Sequence, residues 1–237
     1  MSNNSKDLIR SMAIIGSSQS INIIISVFRM KAMAVLLGPT GIGLFGIFNN
    51  LLSAVKTAAG LGIGKSGVRQ IAISKGDHQV LSRVRKVLLI AHLIQGTIAM
   101  AAVWIFKSKI SSWLFGENLY SFEVGLIGVA IVLTLISTAQ NTLLQGMRRI
   151  DDIGRLTVYG AAASTIIGLI FIFIFGIKGV ISFILIQPLT MILIALRYIK
   201  RLPKPDKDFI GLLDIWNTWK PMAKLGQPLC LAAFQQP

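Results

Sequence analysis

Three cations stand inside apolar runs of this sequence: Arg29, Lys31 and Lys56. At the centre of a bilayer each costs about 2.5–3.5 kcal/mol on insertion scales, so such residues face a protein interior or a wet cavity. The chemistry they suit is electrostatic. A cationic cavity attracts phosphate, which arginine grips bidentately and lysine holds as a point charge. Polar residues accompany the cations at helical spacing. Ser18, Asn22, Ser26 and Arg29 follow one another at intervals of four, four and three, and Asn49, Ser53 and Lys56 at four and three, so each set shares a helix face. Thr134, Thr138, Asn141 and Gln145 repeat the pattern in a later run, while His92 with Gln95, and Gln187 beside Pro188, mark two more. Such stripes have two readings, the lining of a common cavity or hydrogen-bonding glue between packed helices. A charge is an expensive packing device, which favours the cavity for Arg29 and Lys56. Lys31 lies about 200° around an ideal helix from Arg29, and either snorkels or points to a different side of the cavity.

Other chemistries find less support. The stretch AAGLGIGKSG at 59–68 carries Gly64-Lys65-Ser66 after a glycine-rich run, but Ala59 stands where a phosphate-cradling loop has its first glycine. Such a loop also needs a strand before it, and what precedes Ala59 is an apolar helical run with a polar stripe. Glycines 60, 62 and 64 therefore read as the thin exit of a membrane span and a hinge at a cytoplasmic gate. The two histidines, His78 and His92, lack metal-ligand partners at recognisable spacing, and the single cysteine, Cys230, excludes an internal disulfide framework. All nine carboxylates lie in loops or at span edges, and Asp151-Asp152 reads as a capping, charge-balancing turn beside Arg148, Arg149 and Arg155. No enzyme, cofactor or metal site is expected.

The elements that must position these residues are membrane helices. Of the 237 residues 54% are hydrophobic and only 14% charged, against about 25% charged in an ordinary soluble domain; the mean hydropathy is +0.71. A bilayer core takes roughly 20 apolar residues. Six such spans are expected, at 12–37, 42–63, 87–107, 124–146, 156–175 and 179–199, with GPTG and FGIKG as tight turns after the first and fifth. The expected organisation is a tail at 1–11, a six-helix lobe at 12–200, a linker at 201–220 and the start of a seventh helix at 221–237. If every span crosses, eighteen of the 24 Lys and Arg fall on one side, and Lys107, Lys109 and Lys178 on the other. By the positive-inside rule the N-terminus and the basic loops are cytoplasmic. Topology thus accounts for the net charge of +15 without a nucleic-acid partner.

The residues also resemble a family. RMKAMAVLLGPTGIGLFGIFNNLL at 29–52, GLGIGKSGVRQIA at 60–72 and LLQGMRRIDDIGR at 143–155 are similar to the N-terminal part of the Wzx-type O-antigen and enterobacterial-common-antigen flippases. These form the polysaccharide exporter branch of the multidrug/oligosaccharidyl-lipid/polysaccharide superfamily. The resemblance implies an all-α integral membrane protein of the inner membrane, with two six-helix lobes around a central cavity and alternating access. The substrate it implies is a polyprenyl-pyrophosphate-linked oligosaccharide, flipped to the periplasmic leaflet among membrane lipids and other polysaccharide assembly proteins. Arg29, Lys31 and Lys56 would meet the pyrophosphate; Ser18, Asn22, Ser26, Asn49, Ser53, His92, Gln95, Thr138, Asn141 and Gln145 would line the cavity. The chain ends at Pro237 as a seventh span begins, so one lobe and the first part of the next are expected, as a fragment or a truncated product. A multidrug exporter of the same fold, and a membrane scaffold that transports nothing, are the alternatives.

Overall fold

The computed structural model describes residues 3–60, 62–202 and 219–221, and every element among them is helical. The expected linker and seventh helix therefore lie almost wholly outside the described residues. The order is α1 (Asn3–Gly60), α2 (Ile63–Ile73), α3 (His78–Phe115), α4 (Ser121–Gly146), α5 (Ile150–Phe175) and α6 (Gly179–Ile199), with one-turn 3-10 helices at Ser74–Gly76, Asn118–Tyr120 and Gly176–Lys178. Four stretches are long and apolar enough to cross a bilayer: Met12–Gly60, His78–Phe115, Asn118–Gly146 and Ile150–Ile199. The first and last are each broken once, at Gly38 and at Gly176–Lys178, so six arms of membrane-spanning length result. The chain is a multi-pass, all-α membrane protein.

The break in α1 follows from LLGPTG. Gly38 has φ 66°, the left-handed region that a Cβ disfavours, and Pro39 fixes the first turn of the next arm without needing an amide hydrogen. The two arms run antiparallel. Met33 of the first packs with Ile172 and Phe183, and Phe48 of the second meets Phe115 and Tyr120. Further along the second arm, Gly60 reaches Leu135 near the middle of α4.

Apolar side chains face outward as well as inward. Val35 is 80% exposed, Phe173 77% and Ile105 75%; leaving such side chains in water forfeits about 1.5–3 kcal/mol each, whereas a bilayer accepts them. Because lipid is as apolar as leucine, the helices associate through close packing and small residues. A Cβ on Gly125 of α4 would sit 3.0 Å from the Trp104 ring of α3. One on Gly179 of α6 would come within 2.8 Å of the Ile172 Cα in α5. Both pairs, α3 with α4 and α5 with α6, are antiparallel hairpins.

The stretch expected to be a loop at 64–86 is largely helical. Gly62, at φ 67°, ends the α1 run and starts α2, whose Ile63, Ser66, Gly67 and Ile71 are buried while Lys65, Arg69 and Ile73 are exposed. Gly67 lies against Leu88 and Thr142, and Ile71 against Gly146, so α2 packs across the basic end of α3 and α4. Asp77 then caps α3, its Oδ1 accepting from the Gln79 and Val80 amides at 2.9 and 3.2 Å. α3 therefore begins nine residues before the expected span. α1 likewise starts at Asn3, inside the stretch expected to be a tail.

The turn at 147–149 places Arg148 at φ 55°. Arg149 Nε donates to Asp152 Oδ2 at 2.7 Å, so the charge-balancing part of the expectation for this turn is seen. No side chain caps α5, however, because Arg149 itself occupies the capping position.

Candidate functional site

Three of the polar stripes converge. The second arm of α1 contributes Asn49, Ser53 and Lys56, α4 contributes Thr134, Ser137, Thr138 and Asn141, and α6 contributes Gln187 and Pro188 to one cavity of about 300 Å³. Leu52, Ile184 and Met191 complete its walls. Ser53 is exposed, so the cavity opens on that side.

Each wall is built by its sequence. Helical spacing turns Asn49, Ser53 and Lys56 to one face. In α4, Thr134 and Thr138 donate back to the Ala130 and Thr134 carbonyls at 2.6 and 2.8 Å, a habit of hydroxyls within helices. Their donors are thereby spent, and their oxygen lone pairs are left for the cavity. In α6, Pro188 has no amide hydrogen for the Ile184 carbonyl, which removes one helical hydrogen bond at the cavity wall. Thr190 Oγ1 lies 2.9 Å from both the Ile186 and Gln187 carbonyls on the other side of this defect.

The electrostatics are simple. Among the described residues no carboxylate lines the cavity, and Lys56 forms no ion pair. Its ammonium stands among amides and hydroxyls. Such a lining offers one fixed positive charge together with several neutral donors and acceptors, a combination that suits an anion carrying hydroxyl groups.

Arg29 stands elsewhere. Its guanidinium carbon lies 5.7 Å from the centre of the Phe183 ring, one Nη donates to Ser26 Oγ at 3.3 Å, and its Nε is buried without a partner. Phe183 is followed in α6 by Ile184, which lines the Lys56 cavity, so adjacent residues of one helix serve the two cations. Ser18, at the far end of the Arg29 stripe, is buried; its hydroxyl donates to the Ile14 carbonyl at 2.7 Å, and it faces Gly154 of α5. At Ser18 the stripe therefore packs one helix on another. Asn22 and Ser26 are half-buried between these ends.

The other expected positions are not drawn into the cavity. Lys31 is exposed and does not line it, and Gln145 is exposed at the end of α4. His92 is 1% exposed, with Nδ1 2.8 Å from the Leu88 carbonyl inside α3. Gln95 is half-buried, and both polar atoms of its amide are buried without partners. Lys65 of the GKS stretch is exposed on α2, and no strand accompanies it among the described residues. Ser137 is the polar cavity residue that the stripe omitted. Its signal was present, since it lies three residues after Thr134 and four before Asn141.

The family model for polysaccharide biosynthesis proteins matches residues 8–231. No curated protein and no solved structure matches the chain.

Proposed function

The chain belongs to the polysaccharide biosynthesis protein family, and on that premise we propose that it moves a polyprenyl-pyrophosphate-linked oligosaccharide, such as an O-antigen unit, across the inner membrane by alternating access. The observation that carries the reading is the cavity of Lys56, Asn49, Asn141 and Gln187, polar, cationic and, among the described residues, without a carboxylate. A diphosphate needs fixed positive charge, and Lys56 supplies it as a point charge. Sugar hydroxyls need donors and acceptors in alternation, which the amides of Asn49, Asn141 and Gln187 offer. At about 300 Å³ the cavity would hold one part of so large a substrate, and Arg29 and Lys31 would engage the diphosphate outside it.

Outward movement of an anion needs no nucleotide. With the cytoplasm negative, the membrane potential assists it by about 2.3 kcal/mol per charge per 100 mV. The basic segments 64–86, 147–155 and 197–201 define the cytoplasmic side in this reading. The interior cations, and a cavity whose described lining residues include no carboxylate, favour this substrate over the cationic drugs that a multidrug exporter of the same fold would carry.

The test is complementation of a flippase-deficient bacterial strain, with the lipid-linked oligosaccharide reaching the periplasmic leaflet as the readout. Lys56→Ala lowers it, Lys56→Arg retains most of it, and Lys56→Glu is worse than alanine because it reverses the charge. Equal transport by all three variants, at equal protein levels, overturns the assignment of Lys56.

A further inference from the structure

Several groups of the Lys56 cavity can only accept hydrogen bonds. Along α4, Thr134 and Thr138 both line it and both give their hydroxyl protons to carbonyls of their own helix. Toward a ligand each Oγ1 therefore offers lone pairs alone. The two residues stand about one helical turn apart, roughly 6 Å along the axis, a span that one sugar ring bridges with two of its hydroxyls.

α6 adds an acceptor that no side chain announces. A helical carbonyl points at the amide four residues ahead, and for Ile184 that residue is Pro188, which has no hydrogen to give. Ile184 and Pro188 both line the cavity, so the carbonyl between them lies on the cavity face of α6. Thr190 Oγ1 serves the carbonyls of Ile186 and Gln187 instead, at 2.9 Å from each. At membrane depth a backbone acceptor that has lost its helical donor is satisfied by a side chain, a water or the contents of a cavity.

These acceptors distinguish the two parts of a sugar diphosphate. Ionised phosphate oxygens carry no hydrogen and cannot pair with Thr134 Oγ1, Thr138 Oγ1 or the Ile184 carbonyl, whereas each sugar hydroxyl has a hydrogen to donate. Phosphate oxygens find their donor in the Lys56 ammonium of the same cavity. A sugar held here is consequently the ring attached to the diphosphate.

We infer that the α4 and α6 walls recognise that ring through the hydrogens of its free hydroxyls, with Thr134, Thr138 and the Ile184 carbonyl as acceptors and Pro188 as the positioning residue that frees the carbonyl. The inference rests on the reading of the chain as a carrier of a lipid-linked oligosaccharide, and adds the class of sugar. A ring with unsubstituted hydroxyls is accepted, and a deoxygenated or O-alkylated one, which has fewer hydrogens to give, is discriminated against. Sites built around a ligand's hydroxyls reject analogues that lack them more sharply than apolar pockets reject a change in size.

The purified chain in detergent micelles is titrated with farnesyl diphosphate, with glucosyl and galactosyl farnesyl diphosphate, and with counterparts in which one hydroxyl at a time is replaced by fluorine, which has no hydrogen to donate. Native mass spectrometry gives each affinity. At least one of the two sugars is expected to tighten binding over farnesyl diphosphate, and fluorine at one or more positions to weaken it by about twofold to tenfold. Thr134→Val, Thr138→Val and Pro188→Ala, the last restoring an amide hydrogen to the Ile184 carbonyl, should each lose a similar factor for the sugar-bearing ligand. All three should bind farnesyl diphosphate as the native chain does, which also shows them folded. A fluorine that weakens binding to the native chain should cost less in the variant whose acceptor it would have met, a coupling that a structural role alone does not produce. No gain from either sugar, a gain indifferent to every fluorine, or variants that keep the full gain overturn the inference. Lys56→Ala separates it from the reading on which it rests. That variant should weaken farnesyl diphosphate itself; if it does not, while the hydroxyl pattern holds, the diphosphate role of Lys56 falls and the sugar wall stands.

Discussion

The guanidinium of Arg29 rests on the face of Phe183, 5.7 Å from the ring centre, with its Nε buried and unpartnered. A cation over an aromatic face is stabilised by about 0.5–2 kcal/mol, more as water is excluded. We expect a double-mutant cycle of Arg29→Met and Phe183→Leu, followed by unfolding in detergent, to give a coupling energy in that range. Additive effects would show that the two residues are merely neighbours. Because Arg29→Met also removes a half-buried charge that meets no carboxylate among the described residues, the relieved desolvation should offset the lost ring contact, leaving stability unchanged while transport falls. Loss of both together would make Arg29 a structural residue.

The polar walls of the Lys56 cavity should separate charge from hydrogen bonding. Asn141→Leu and Asn49→Leu each remove uncharged contacts, for which about 0.5–1.5 kcal/mol, or roughly twofold to tenfold in transport, is the expected loss. Lys56→Gln should cost more than either, and its defect should be the one that grows least at high salt, where the wild-type charge is already screened. Initial rates in reconstituted vesicles measure both. An asparagine variant that outweighs Lys56→Gln would turn the reading from an anion site to a sugar site.

Two glycines of the basic end should respond in opposite ways to enlargement. At Gly64 a Cβ would lie 3.5 Å from Thr138 Cγ2, an ordinary contact, so Gly64→Ala should be neutral or stabilising by up to about 1 kcal/mol through helix propensity. At Gly146 a Cβ would lie 2.6 Å from both Cβ and Cγ2 of Ile71. Gly146→Ala should therefore cost about 1–3 kcal/mol as α2 is pushed off α4. Thermal unfolding of the pair decides it, and equal stabilities would mean that α2 does not pack there.

Lys65 should be dispensable for nucleotide reasons. It is exposed on α2, and among the described residues no phosphate-binding strand-turn-helix surrounds it. Lys65→Ala is expected to retain transport to within about twofold, as for an isolated surface charge, and a fluorescent ATP analogue should bind neither protein. Saturable binding abolished by Lys65→Ala would restore the nucleotide reading.

The sequence made the membrane helices and the reversal at Gly38-Pro39 plain, because apolar length and a glycine-proline pair are local signals. It also disclosed that Asn49, Ser53 and Lys56 share a face, as do Thr134, Thr138 and Asn141. That the two faces meet could not be read, since nothing in a single helix says which neighbour it turns toward. The stripe ending in Arg29 shows this limit. Its spacing is as regular as the others, yet Ser18 meets Gly154 and Arg29 meets Phe183. α2 escaped for a different reason: its buried face is Ile63, Ser66, Gly67 and Ile71, half of it small residues, and glycine signals a loop unless a partner is known to require close approach. His92 looked like a candidate for a pore because it is polar in an apolar run, but its ring finds its partner in its own helix, at the Leu88 carbonyl.

Gly64 ties α2 to the Lys56 cavity. Thr138, whose methyl group it faces, is also a wall of the Lys56 cavity, and Lys56 itself stands on the helix that α2 continues beyond Gly62. The short helix therefore touches the Lys56 cavity at its back and the chain that carries the charge at its start. A ligand that shifted Thr138 on entering the cavity would change how firmly α2 is seated, and α2 would in turn change the ligand's affinity by the same factor. A reporter dye on α2, far from any sugar, would then register the arrival of cargo as a change in its own mobility.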